Sequence, residues 1–417
     1  MRPALLLYLN VGLILAEPKL IYIQSIWRPG ISAPDDTYPT DPHQEDAWPV
    51  EWGDVTTLGM DQMYKQGVKL KAEYIDKYNL ISPNYHKTQT FVRSSDTSRT
   101  LISAYSSMAG FYSASSGTYP ERDDWPTSWT PIPVHSVGSK NEHMLQVNGN
   151  CPRRKQLLGE MQHRREIRNV LGENKDFLST LERHSNWTFD NLEVIFKFSE
   201  ILKIEKQHHL PLPSWITPDI YNKTQTLGLE SFDYINGGAA FDLPENKEMV
   251  RLTSGVLISH ILDNIEKKIN GTNQYLYHAY STDERVMSGL LRTLGAKQAL
   301  LGRNQTDYAA TLVIELWELE AKDYGIRVRY SANVRSPLIA ITSNVTGCGQ
   351  TEFCSWDQFV KSRSEYTVQN ITLACEMHNT IGPPKTRPTA KEQAAKSARS
   401  MTLPSFAVLV FGFILSS

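Results

Sequence analysis

Three times along the chain an apolar run of strand length stops at a short polar loop and restarts at helical spacing, and this recurrence restricts the fold more than any other feature. The first run carries Leu20, Ile21, Tyr22, Ile23, Ile26 and Trp27, and its loop at 27–34 opens with Arg28 beside a Pro-Gly turn signal. The second, "TFVRSSDTSRTLISAYSSMAGFY", is a strand, a polar turn holding Arg93, and a helix with Leu101, Ala104, Tyr105 and Met108 on one face. Asp96 or Ser98 is placed to cap that helix, and Arg99 lies near its start. The third, "QYLYHAYSTDERVMSGLLRTLGA", has its loop at 280–286. Later, "ATLVIELWELEAKDYGIRVRYSANV" alternates across a Gly-containing turn and reads as a hairpin. Strand–helix units closed by a hairpin predict an α/β fold with a mixed sheet flanked by helices.

Other segments fill in the organisation. Met60, Met63, Tyr64 and Val68 fall at helical spacing, as do Val256, Leu257, Ile261, Leu262 and Ile265. Between Cys151 and Leu243 the texture changes to charged, helix-favouring segments broken by "PLPSWITP", which predicts a smaller, mainly helical domain. The expected layout is therefore a core from 17–150 and 244–378 with a helical insertion at 151–243. The N-terminal "MRPALLLYLNVGLILAEPK" reads as a secretory signal peptide over 1–16, cut near Ala16–Glu17. Six N-x-S/T sequons agree with export: Asn186, Asn222, Asn270, Asn304, Asn344 and Asn370. Residues 379–402 read as a polar stalk, and 403–417 as a hydrophobic C-terminal anchor, either a GPI-attachment signal or a short span. A cell-surface or extracellular, membrane-anchored glycoprotein is expected.

A formal net charge of −2 argues against a nucleic-acid partner. The four cysteines, Cys151, Cys348, Cys354 and Cys375, suit two disulfides in an exported chain, with Cys348 and Cys354 near enough to close a small loop. No C-x-x-C spacing suggests a metal, and no motif calls for a cofactor. In an open α/β sheet, ligands sit beyond the carboxyl ends of the strands. Arg28 and Arg93 are therefore candidates to converge on an anion, against the alternative of two solvated loop arginines.

At these segments the chain resembles the histidine acid phosphatase family of the prostatic and lysosomal type, over nearly all of its length. "APDDTYPTDP" with "WPVEWGDVTTLGMDQMYKQG", "VRSSDTSRTLISAYSSMAG", "PIPVH", "NCPR", "LPSW", "SGVLISHIL" and "AYSTDERVMSGLLRTLGA" follow that family's order. The resemblance implies a histidine-phosphatase α/β core, a Cys348–Cys354 and Cys151–Cys375 pairing, and hydrolysis of phosphomonoesters through a phosphohistidine. Such chemistry needs a nucleophilic imidazole, arginines for the phosphoryl group and an acid for the leaving oxygen.

Carried over position by position, Arg28, Gly30 and Pro34 match the family's R-H-G-x-R-x-P signature. Pro29 stands where the nucleophilic histidine belongs, and Ser32 where the second arginine belongs. Arg93 matches another phosphate-binding arginine. Asp283 takes the place of a phosphate-contacting histidine, and Glu284 that of the proton-donating aspartate, which leaves Glu284 as the one candidate acid. Proline has no nucleophilic nitrogen, Ser32 removes a fixed charge, and Asp283 adds a repelling one. The expectation is a catalytically silent or severely impaired homologue that binds a phosphate-bearing small ligand. An active acid phosphatase is the alternative, using water or a displaced histidine, His135, as nucleophile, and a surface protein without a ligand is a third reading. His278 reads as a satisfied core residue, and His208 and His209 as surface residues of the helical insertion. Family members often form dimers, so the resemblance brings in a homodimer.

Overall fold

The computed structural model describes residues 17–126, 129–147, 149–320 and 322–377, and the described residues up to Glu376 belong to one compact unit. The expected signal peptide, stalk and C-terminal anchor lie outside the described residues. No helix among the described residues is long and apolar enough to cross a membrane.

Among the described residues, eight strands form one mixed sheet: β1 (Lys19–Trp27), β2 (Thr90–Ser94), β3 (Val134–His135), β4 (Tyr277–Ser281), β5 (Thr311–Glu320), β6 (Asp323–Ser331), β7 (Ile339–Ala340) and β8 (Cys354–Ser355). Their order is β3-β2-β4-β1-β5-β6-β7, with β8 also on β6. The apolar run of β1 makes it a central strand, parallel to β4 and antiparallel to β5. The hairpin β5–β6 forms as the alternation predicts, but it turns at Lys322 (φ 67°) rather than at a glycine. Gly325 lies inside β6, where a Cβ would come within 2.9 Å of Phe353. That glycine serves close packing rather than a turn.

Helices α1 (Thr57–Lys71) and α2 (Ser98–Phe111) cover one face of the sheet, burying Met63, Leu70, Met108 and Phe111 against Ile23, Trp27, Tyr277 and Val313. Five helices follow: α3 (Pro152–Gln162), α4 (Arg165–Glu173), α5 (Lys175–Ser185), α6 (Leu192–Gln207) and α7 (Pro218–Ile235). Leu157, Leu181, Ile195, Phe198 and Ile235 share a cluster of their own, and it includes Cys151 and Cys375. Then α8 (Lys247–Ile269) and α9 (Glu284–Thr293) cover the opposite sheet face, with Leu257, Ile261 and Leu290 on Tyr22, Ile26, Leu312 and Ile314. Disulfides join Cys151 to Cys375 and Cys348 to Cys354.

The register brings the carboxyl ends of the parallel strands into line: Ser281 sits opposite both Trp27 and Ser94. The chain therefore leaves β1, β2 and β4 along one edge, where Arg28 N–H donates to Ala310 (3.1 Å), Ser95 N–H to Ser281 (3.1 Å) and Thr282 N–H to Trp27 (3.1 Å).

Candidate functional site

A cavity of about 490 Å³ opens at this edge. The loop after β1 contributes Arg28, Pro29, Ser32, Asp35 and Asp36. The first turn of α2 adds Arg99 and Thr100, the start of α9 adds Asp283, Glu284 and Arg285, and α6 adds Phe196, Lys197 and Glu200. The segment before β5 supplies Tyr308.

The loop after β1 is held rigidly. A Cβ on Gly30 would sit 2.1 Å from the Gly59 carbonyl oxygen, so only glycine lets the loop lie on the first turn of α1. Ser32 bridges Val55, and the Pro29 carbonyl accepts from Ala309 N–H at 3.0 Å. Within that frame Arg28 is 6% exposed. Its Nη1 donates to the Thr306 carbonyl, its Nη2 lies 3.3 Å from Glu284 Oε2, and its Cζ is 4.1 Å from the Tyr308 ring centre. Glu284 Oε1 is buried without a hydrogen-bond partner. Burial raises its carboxyl to about 7 against the pull of Arg28, with Glu200 adding to the rise. Asp283 caps α9, accepting from Val286 N–H at 2.9 Å, and burial pushes its carboxyl up despite that bond.

Pro29, Ser32, Asp283 and Glu284 thus gather around Arg28. Arg93 does not join them. It lies within β2, which runs through it to Ser94, so the pleat fixes its direction, and it pairs with Glu142 at 2.9 Å. Arg99, in the first turn of α2, lines the cavity instead, paired with Asp35. Its position at the start of a helix following a parallel strand was the available signal. The cap of α2 is Thr97, with neither Asp96 nor Ser98 in that role.

Two further cations were missed. Arg285 lines the cavity in no ion pair among the described residues. Arg154, on α3, is 9% exposed and lies within electrostatic reach of Asp283, Arg285 and Glu193. Burial, reinforced by Arg285, lowers its pKa to about 10, and its Nε is buried without a partner.

Among the described residues, none that lines the cavity is a histidine. His135 is exposed and stacks on Phe91 at 4.7 Å. His278 is buried in β4, 2.7 Å from the Tyr22 hydroxyl, and burial lowers its pKa to about 3. His208 is half-buried with its ring 5.1 Å from Trp48, a more sheltered place than a surface reading implies, while His209 is exposed.

An arginine thus stands at the end of the central strand of a mixed α/β sheet, with a carboxyl at the start of the facing helix. The chain belongs to the histidine phosphatase superfamily (branch 2), whose family model matches residues 21–331. It is 30% identical to the prostatic acid phosphatase of Homo sapiens over 365 residues, which span 87% of this chain and 89% of that protein. It is 29% identical to the lysosomal acid phosphatase of Homo sapiens over 335 residues, 79% of this chain and 76% of that protein. Among solved structures, the phytase from Citrobacter braakii shares the fold, with a TM-score of 0.59 at 17% identity over 86% of this chain and 99% of that one.

Proposed function

We propose that this acid-phosphatase-like chain binds a phosphate-bearing small ligand at Arg28 and Arg99 and turns it over weakly or not at all. The observation that carries the reading is Pro29, just after β1 where the resemblance calls for the nucleophile, in a cavity whose lining holds no histidine among the described residues. Covalent transfer needs a nucleophilic nitrogen, and loss of a covalent nucleophile costs about four to six decades of rate in a well-measured protease. Ser32 and Asp283 further reduce the positive charge available to a transferring phosphoryl group.

The test is hydrolysis of an aryl phosphate by the purified chain between pH 4 and 7. The expected rate is at or near the level of an Arg28→Ala control. Arg28-dependent turnover within tenfold of about 10 s⁻¹ overturns the reading. One observation favours a second reading, an active phosphomonoesterase that uses water. Glu284, its carboxyl raised to about 7 beside Arg28, has the poise of an acid–base group.

The reading includes a division into an α/β core and a helical insertion at 151–243. It also includes passage through the secretory pathway, which two disulfides fit. The six sequon asparagines are all exposed, as glycan acceptors need to be. Membrane attachment through 403–417 and a homodimer belong to the same proposal.

A further inference from the structure

In this cavity the cation expected to hold an anion is already occupied by the protein itself. Arg28 has three neighbours of different kinds. The Thr306 carbonyl is backbone, and the Tyr308 ring covers a guanidinium face without taking an N–H. Only the Glu284 carboxylate, 3.3 Å from Nη2, is a charged acceptor in the place where an oxyanion's oxygen would lie. Its second oxygen, Oε1, is buried and bonded to nothing.

We propose that Glu284 is a resident stand-in for an oxyanion on Arg28, and that the cavity admits a small tetrahedral oxyanion only as Glu284 takes up a proton. This rests on the anion-binding reading of the cavity given above. The step balances simply: one proton from solvent joins the carboxylate, the ion pair with Arg28 is given up, and the incoming oxyanion takes the carboxylate's place beside Nη2. Protonation acts twice. It removes a negative charge that would repel the ligand, and it turns an orphaned acceptor into an O–H donor for it.

The surrounding groups set the direction. Glu200 on α6 and Asp283 at the head of α9 oppose ionisation of Glu284, while Arg28 and Lys203 favour it. Arg292 and Lys297 also lie within electrostatic reach, but both are already paired with Asp233. Tyr308 and Tyr330 keep their phenolic protons, because burial raises both. Burial outweighs the favouring cations, so Glu284 changes charge near neutrality rather than in the ordinary carboxylate range. Acidification therefore strengthens anion capture.

Sulfate is the probe, because its charge is constant across the range whereas phosphate itself titrates. Calorimetry of sulfate binding should show an affinity about thirtyfold higher at pH 5.5 than at pH 8.5, as expected for one linked proton and a midpoint near 7. Buffers of differing ionisation enthalpy should report proton uptake approaching one per sulfate at the alkaline end. Glu284→Gln should bind sulfate at both pH values with no such dependence. Asp283→Asn, which keeps a helix-capping oxygen but removes a charge that opposes ionisation of Glu284, should keep a one-proton dependence with its midpoint moved to lower pH. A flat profile in the native chain, or a slope that persists in Glu284→Gln, overturns the gate while leaving the anion site standing. Sulfate binding by none of these proteins at any pH, or binding that survives Arg28→Ala, overturns the anion-site reading and the gate with it.

Discussion

Restoring the family's groups one at a time should fail where restoring them together succeeds. The perturbation is Pro29→His alone, then with Ser32→Arg and Asp283→His. The backbone at 29 needs no rebuilding: its carbonyl is held by Ala309 N–H, and the adjoining Gly30 is wedged on the Gly59 carbonyl. An imidazole therefore enters a fixed frame, but beside Asp283. At an effective dielectric of about 20, a unit charge about 4 Å from a transferring phosphoryl group contributes about 4 kcal/mol of repulsion. That is close to three decades of rate. Asp283 is only partly ionised in acid, because burial raises its carboxyl, so the penalty is greatest at neutral pH. Pro29→His alone should gain less than about tenfold, and the triple variant about 10³-fold or more, with the excess smaller at pH 5 than at pH 7. Losing the Asp283 cap costs about 1 kcal/mol of stability, which a thermal melt will register without loss of fold. The assay is kcat/KM on an aryl phosphate, with circular dichroism as the folding control. If Pro29→His matches the triple variant, or if the triple variant is folded, binds sulfate and stays silent, the reasoning is refuted.

Two further outcomes follow from groups outside the cavity. Asp233 on α7 holds Arg292 and Lys297, all three side chains at most 6% exposed, so Asp233→Ala leaves two buried cations facing each other. Urea unfolding should show a loss of about 3–5 kcal/mol, largely recovered when Arg292→Met and Lys297→Met are added, and a loss under about 1 kcal/mol would count against it. His278, lowered to about 3, binds fewer protons folded than unfolded, so its contribution to stability is full above the usual 6.5 and falls as pH drops toward 3. His278→Gln should flatten that slope by up to about 1.4 kcal/mol per pH unit, and an unchanged slope in urea titrations would refute the assignment.

What could be read in advance followed from local periodicity. The apolar runs of β1 and β4 and the β5–β6 alternation each carry their signal within a dozen residues, whereas of the face read for α2 Ala104 and Met108 are buried and Tyr105 is exposed. Arg28 was legible for the same reason, since strand and turn are contiguous. Arg93 lies within β2 and pairs with Glu142, and its strand position could not be foreseen because strand ends are poorly marked in a sequence. Tyr308 and Thr306 could not be found that way: their contacts with Arg28 exist only because β5 runs antiparallel to β1 and returns the chain to the same edge. Glu284 was recognised as an acid, but its contact with Arg28 depends on α9 beginning where it does.

The central place of β1 has a consequence for how the molecule is made. Tyr22 and His278, which touch across β1 and β4, are 256 residues apart, and Arg28 and Thr306 are 278 apart. Such pairings are slow to form, because a long loop must close before any contact rewards it. During synthesis this apolar strand emerges long before either neighbour and waits with both ladders open. A chain interrupted before β4 would present Leu20 to Trp27 as an unpaired, β-branched and aromatic segment, the kind that templates intermolecular sheets. The strand that organises the finished fold is therefore its chief aggregation liability while folding is incomplete.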